Sequence, residues 1–249
     1  MKIIACYSIK GGVGKTATAV NTAFMAAQSG MRTLLVDLDP QGASSFYFRV
    51  KPLKKQGGKR LIDSSQNMLK QIRASDYENL DIIPAHMSFR NFDALLSQLK
   101  KSNKRLGKTF EKLSDEYDLI ILDCPPTISY LSEAVFTAAD LIFVPVIPTT
   151  LSERTYEQLL DFFRKNDFPR KSIIPFFTMV QIQKNLHKNT IDGMRQRYAR
   201  FLKATIPFSA DVENMGEYRS PVGAFARHRP ANKAYEQLWR EMRKKISKI

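Results

Sequence analysis

The chain of 249 residues carries 39 Lys and Arg against 24 Asp and Glu, a formal net charge of +15, with 43% hydrophobic residues and two cysteines. That apolar content fills one sizeable α/β core. No apolar run approaches the ~20 residues of a membrane span, and two cysteines make neither a disulfide framework nor a metal cluster. So large a basic excess calls for an anionic partner, either nucleic acid or an acidic membrane surface.

In chain order, Lys2 to Tyr7 reads as a buried strand, with no cleavable signal pattern before it. Ser8-Ile9-Lys10-Gly11-Gly12-Val13-Gly14-Lys15-Thr16 follows, and Ala17 to Ser29 reads as a helix. A strand, a glycine-rich loop ending in Lys-Thr and a helix form a phosphate-binding loop. The glycines let backbone N–H groups face phosphate oxygens, and the helix N-terminus adds partial positive charge. Lys15 then reaches the β- and γ-phosphates, and the Thr16 hydroxyl ligates Mg²⁺. The usual first glycine of such a loop is replaced here by Ile9, and Lys10 stands before the glycine pair.

Thr33 to Val36 is the next strand. It runs into Asp37-Leu38-Asp39-Pro40-Gln41-Gly42, where alternation puts Asp37 and Asp39 on one side of an extended chain. Two such carboxylates suit the water shell of Mg²⁺ and an attacking water. Lys51 to Gly58 is a basic loop, and Leu80 to Pro84 is a strand. Helices are expected at Phe92–Leu99 and Lys108–Glu116. Leu119 to Leu122 is an apolar strand ending in Asp123-Cys124-Pro125-Pro126, which is Walker B chemistry. Then come a helix at Ser129–Thr137, a strand at Leu141–Val146, a helix at Ser152–Lys165, a strand at Ile173–Val180 and a helix at Thr190–Lys203. Alternating strands and helices predict an α/β fold, a mostly parallel central sheet with helices on both faces. Residues 1–249 read as a single domain, with ligands at the carboxyl ends of the strands.

The run from Lys10 to Thr16 resembles the deviant Walker A loop of the ParA/MinD family of P-loop ATPases, most closely its ParA partition branch. The Asp39-Pro40 turn resembles that family's switch I, and Asp123-Cys124-Pro125-Pro126 its switch II. The resemblance implies ATP and Mg²⁺ as cofactors and an ATPase acting on the β–γ phosphoanhydride. It implies phosphate contacts from Lys10, Gly11, Gly12, Val13, Gly14, Lys15, Thr16 and Ala17, with Pro207 on the adenine side. Thr16, Asp37 and Asp123 are the implied metal residues. Lys10, Lys15 and Asp39 are the implied catalytic residues: Lys10 reaches across a dimer interface and Asp39 positions water. Two departures stand out, Phe208 where arginine is common in the family, and Met179-Val180-Gln181 where a Met-Tyr-Asp-like segment is usual.

The same resemblance implies a homodimer formed on ATP binding, non-specific double-stranded DNA as partner, a ParB-like adaptor that stimulates hydrolysis, and a cytoplasmic, nucleoid-associated location. Basic stretches run from Arg49 to Arg60 and from Lys100 to Lys108. Candidate DNA contacts are Arg195, Arg197, Arg200, Lys203, Arg219 and Arg240. Arg197, Arg200 and Lys203, three apart on the expected helix, share a face. No base-reading motif is apparent. The alternative is a MinD-like ATPase whose last segment, Ala234 to Ile249, binds membrane as a basic amphipathic helix. A packed last helix is favoured over it, because Leu238 and Trp239 make a better core stripe than a membrane belt. Amidating relatives are set aside because a glutaminase domain has no room here. His86, His187 and His228 lack ligand spacing.

Overall fold

The computed structural model describes residues 1–51, 65–98 and 102–249. The loop at Lys51–Gly58, apart from Lys51, and the basic residues Lys54, Lys55, Lys59, Arg60, Lys100 and Lys101 lie outside the described residues.

Among the described residues eight strands form one sheet in the order β3-β4-β2-β5-β1-β6-β7-β8. They are β1 (Lys2–Cys6), β2 (Thr33–Asp37), β3 (Arg73–Ala74), β4 (Leu80–Ile83), β5 (Leu119–Asp123), β6 (Leu141–Val146), β7 (Ile173–Val180) and β8 (Thr205–Pro207). Every pairing is parallel except that of β3 with β4. The expected parallel sheet is therefore present, with an antiparallel two-residue edge strand that sequence reading did not find.

The helices follow from the strands. α1 (Lys15–Gln28) comes after β1, and α2 (Ala43–Tyr47) after β2. α3 (Ser65–Leu69), α4 (Phe92–Ser97) and α5 (Ser102–Glu111) precede β5, and α6 (Tyr130–Ala138) follows it. α7 (Thr150–Lys165) follows β6, and α8 (Asn185–Arg197) follows β7. After β8 come the short turns α9 (Ala210–Glu213), α10 (Met215–Tyr218) and α11 (Val222–Phe225), and finally α12 (Pro230–Ile246). The strands are apolar on both faces, as sheets covered on both sides require. In β1, Ile3 and Ala5 enter one core, which includes Phe92, Phe110, Phe136 and Phe163 from α4 to α7. Ile4 and Cys6 enter the other, with the apolar faces of α1 and α12.

The last helix settles one expectation. Tyr235, Leu238, Trp239, Met242 and Ile246 are buried in the second core. At ~1.5–3 kcal/mol per large apolar side chain, this face contributes on the order of 10 kcal/mol of burial. The apolar stripe lies on the sheet, and Arg240, Arg243, Lys244 and Lys245 on the other side are exposed. Among the described residues no helix is long and apolar enough to cross a membrane.

The expected helix over 190–203 is corrected: α8 starts at Asn185 and ends at Arg197. Tyr198 is extended, at φ −127° and ψ 98°. Its ring packs edge-on to Tyr156, while Phe201 stacks on Phe177 at 4.3 Å. These aromatic contacts draw residues 198–204 off the helical path towards β8, so tertiary packing overrides local propensity. Arg200 and Lys203 therefore do not continue the helical face of Arg197.

The α11 turn shows how closely the second core is packed. A methyl group on Gly223 would lie 2.7 Å from Phe24 Cε1 and 2.8 Å from Asn232 Oδ1. Gly223→Ala is expected to cost about 1–3 kcal/mol through overpacking, read as a lower urea midpoint with an unchanged m-value.

Candidate functional site

The parallel sheet gathers the chemistry at one edge. Register places Asp37 beside Asp123 and Cys6 beside Asp123, on the adjacent strands β2, β5 and β1. Neighbouring strands lie about 4.8 Å apart, so the glycine-rich loop after β1 sits next to Asp123, with Asp37 one strand further on.

The loop itself depends on glycine at two points. Gly12 has φ 68° and Gly14 φ 83°, conformations that L side chains rarely adopt. Gly14 leads directly into α1, whose first helical turn closes with Thr18 N–H donating to Gly14 O at 2.9 Å. Lys15 is 7% exposed, and its ammonium folds back to donate to Lys10 O at 3.1 Å. Burial pulls its pKa down, and the charges of Asp123, Cys124 and Asp39 oppose that pull. A desolvated ammonium at the mouth of a loop of N–H groups is a strong site for phosphate.

The two acids at the strand ends are fully buried. Asp37 Oδ2 accepts from the Ser45 hydroxyl at 2.6 Å and from Ser45 N–H at 2.8 Å. Asp123 Oδ2 accepts from the Ser44 hydroxyl at 2.6 Å. Burial pushes both carboxyls well above the ordinary range. The charge of Asp123 pushes Asp37 further, while the Ser44 hydrogen bond and the nearby Thr16 hydroxyl hold Asp123 back. The second oxygen of each acid, Oδ1, is buried without a hydrogen-bond partner. An unsatisfied buried carboxylate oxygen is costly, and the two, with the Thr16 hydroxyl near Asp123, make a hard, all-oxygen donor set. That set fits Mg²⁺, which takes few protein ligands and keeps water and phosphate oxygens. Among the described residues no group of three His, Cys, Asp or Glu side chains converges as a metal site.

Asp39 lies just beyond β2, half-buried, with Oδ1 accepting from Gln41 N–H at 2.9 Å. Alternation places it near Asp37, but the two differ in setting: Asp37 is sealed in the sheet and Asp39 faces the cleft. Sequence reading missed Ser44 and Ser45. The available signal was a glycine followed by serines after an acidic turn, the pattern of a helix start. Gly42, at φ 67°, turns the chain so that α2 presents both hydroxyls to the acids.

Pro207 ends β8, paired with Val180 of β7. Between it and the loop lies Met179, a non-glycine residue at φ 52° beside a register shift. A Cβ on Gly14 would lie 3.5 Å from Thr178 Oγ1 and 4.0 Å from Met179 Cε, so the end of β7 flanks the loop. Cys6 and Cys124 are buried, and burial pushes both thiols far up, with Asp123 adding to the effect.

The basic residues singled out above are spread over the molecule. Arg195 donates to Lys203 O at 2.9 Å and lies over the Phe177 ring. Arg200 donates to Ile173 O and Lys171 O at the opposite, amino edge of β7. Arg197 pairs with Glu153 of α7 at 2.6 Å. Arg219 stacks on Phe46 of α2 at 4.5 Å. Lys203 and Arg240 are exposed, Arg240 lying 4.0 Å from Glu236. An open groove of about 640 Å³ at the amino edge holds Asp76, Glu78, Asp81, Asp115 and Glu116 against Arg32, and its charge is wrong for phosphate.

Comparison with known proteins agrees with this geometry. Residues 1–172 match the AAA domain family. The sporulation initiation inhibitor protein Soj of Bacillus subtilis (strain 168) is 31% identical over 89% of this chain and 90% of its own length. The chromosome partitioning protein ParA of Caulobacter vibrioides is 28% identical, covering 97% of this chain and 94% of that protein. A plasmid partition protein of Borrelia burgdorferi B31 bound to AMPPNP superposes with a TM-score of 0.83 at 24% identity, over 98% of this chain and 99% of that one. A cobyrinic acid a,c-diamide synthase from Mycobacterium smegmatis with bound ATP analogue and magnesium does so with a TM-score of 0.83 at 23% identity, over 98% and 94%. That last chain is of similar length, so size is no argument against amidating relatives.

The buried acids set a pH dependence. An acid whose pKa is raised on folding keeps protons that the unfolded chain has already released. Stability therefore falls as pH rises from the ordinary carboxylate range through the folded value. Metal binding needs the ionised form, so Mg²⁺ stabilisation grows in the same direction. Asp37→Asn is expected to raise the Tm of the metal-free protein at pH 8 relative to wild type and to flatten its decline with pH. It is expected to remove most of the Tm gain from Mg²⁺ with nucleotide. Differential scanning fluorimetry across pH 5–9 checks both.

Proposed function

The chain belongs to the ParA/MinD family of P-loop ATPases, and from that premise we propose that it is a Mg²⁺-dependent ATP hydrolase that positions DNA or another large cargo. The observation that carries this reading is the convergence of Lys15, Thr16, Asp37, Asp39 and Asp123 on one sheet edge, with two buried carboxylate oxygens unpaired.

ATP would lie with its phosphates on the loop from Lys10 to Ala17 and its base toward Met179 and Pro207. Thr16, Asp37 and Asp123 would hold Mg²⁺, which neutralises charge on the β- and γ-phosphates. Lys15 stabilises the charge that builds on the transferred phosphoryl group. Asp39, at the mouth of the cleft, orients a water in line with the β–γ bond, and ADP and phosphate leave.

A second copy completes the site. The Lys10 ammonium lies on its own Ser152, at 3.1 Å, while its backbone carbonyl takes the Lys15 ammonium. In this reading its ammonium serves the partner's phosphate. Apolar side chains left exposed at the same edge suit a contact between copies: Met87 after β4, Ile128 after β5, Leu151 after β6, Ile182 after β7 and Phe208 after β8. Loss of the bridging γ-phosphate would then part the dimer. A dimer doubles the basic surface, and non-specific affinity for DNA climbs with each phosphate neutralised. Arg197, Lys203, Arg219 and Arg240 supply contacts, and an adaptor of the ParB kind would stimulate release. The buried stripe of α12 disfavours the membrane alternative.

Binding to random duplex DNA and to anionic liposomes, with Mg²⁺ and either ADP or a slowly hydrolysed ATP analogue, tests the reading. DNA binding only with the ATP analogue is the expected result; liposome binding alone would overturn it. Asp39→Ala is expected to keep ATP-dependent DNA binding while turnover falls by ~10²-fold or more. Unchanged turnover would remove Asp39 from the mechanism.

A further inference from the structure

The first turn of α7 makes two contacts that point in different directions. Ser152, 4% exposed, takes the Lys10 ammonium at 3.1 Å and pairs with the Thr149 hydroxyl at 3.0 Å. The next residue, Glu153, has a side chain only 15% exposed, and its Oε1 lies 2.6 Å from Arg197 Nη2. One helical step thus joins the loop lysine to an arginine at the end of α8.

We propose that this turn is a two-sided latch: Ser152 parks Lys10 within its own subunit while Glu153 masks Arg197, and transfer of Lys10 to a phosphate held by a second copy unmasks Arg197 for a polyanion. The inference rests on the function proposed above and adds the device that makes DNA binding follow ATP.

Three features of the turn support it. Thr149 is the N-cap of α7, yet its side chain caps no backbone N–H; it is engaged with Ser152. When Lys10 leaves, the Ser152 hydroxyl loses a donor. The pair can then rearrange so that Thr149 caps the helix, the arrangement an N-cap threonine prefers. That rearrangement moves the turn carrying Glu153. Second, the space between the loop and the turn, lined by Lys10, Val13, Val144, Ser152 and Tyr156, is only about 10 Å³, so the two are closely packed and a displacement of Lys10 is felt by the turn. Third, the Glu153–Arg197 contact is close but not aligned as a hydrogen bond, since Glu153 Oε1 has no hydrogen-bond partner. The Arg197 side chain is 57% exposed. The pair is poorly aligned and open to solvent on its arginine side, where salt screens it, so a displacement of the turn that carries Glu153 releases the guanidinium. The neighbouring acid, Glu157, accepts from the Tyr198 hydroxyl at 2.8 Å and keeps the end of α8 in place while Arg197 is released.

The test is fluorescence anisotropy on random duplex DNA at several salt concentrations, with Mg²⁺ and either ADP or a slowly hydrolysed ATP analogue. Wild type, Glu153→Gln, Arg197→Ala and the double variant are compared. Glu153→Gln is expected to tighten binding in ADP at least threefold and to steepen the salt slope by about one unit per subunit. In the ATP analogue it should match wild type, and the gain should vanish in the double variant. If Arg197→Ala weakens binding in the ATP analogue but Glu153→Gln changes nothing in ADP, Arg197 contacts DNA without being masked and the latch is overturned. A gain that persists without Arg197 overturns it as well. If wild type binds DNA in neither state, the functional reading falls and takes the latch with it. Circular dichroism melts of each variant show that the comparison is between folded proteins.

Discussion

Two carboxylates sealed side by side at the end of a sheet are the constraint around which this molecule is arranged. Asp37 and Asp123 are neighbours in register, fully buried, each satisfied at one oxygen by a serine of α2 and bare at the other. Burying an ionised carboxylate is unfavourable unless a cation or donors accompany it. Lys15 and Thr16 answer from the adjacent loop, and α2 answers from the other side. None of these groups could meet without parallel strands that all present their carboxyl ends to one edge. The apolar runs of β1, β2 and β5 thus do more than fill a core: they hold three charged loops within reach of one another.

Most of this arrangement is legible in the sequence because it is local or periodic. The strand at Lys2–Cys6, the loop to Thr16 and the following helix are contiguous, and each step has its own physical signature. The acids are legible because each ends an apolar run. What the sequence does not display is contact across the fold. Ser44 and Ser45 reach the acids only because Gly42 turns α2 back over them. Lys10 reads as a loop lysine, and its rest position on Ser152 depends on how β6 leads into α7. The end of α8 was misjudged because its stop is set by Tyr198 and Phe201, whose partners Tyr156 and Phe177 lie 42 and 24 residues earlier in the chain.

The cleft communicates with the surface through short elements. On one side α2 carries Ser44 and Ser45 toward the acids and Phe46 toward Arg219. On the other, the first turn of α7 carries Ser152 toward Lys10 and Glu153 toward Arg197. Each is a short stretch of helix with one end at the candidate site and the other at an arginine. A change of state at the cleft would then have a short path to the surface.

This bears on how the net charge of +15 should be read. Basic residues do not contribute equally to a polyanion surface. Arg32 is tied to Asp118, Arg49 to Asp76, and Arg195 and Arg200 to backbone carbonyls. These arginines hold loops and strand ends in place, a role suited to a rigid fork of donors. Removing one of them would disturb local structure before it disturbed any electrostatic partner. The side chains left to face a polyanion are a smaller set, including Lys203 and the basic side of α12, together with arginines such as Arg197 and Arg240 that are held only by ion pairs. A protein of this charge is not uniformly adhesive, and any affinity for a phosphate backbone would depend on which of the loosely held cations are free at a given moment.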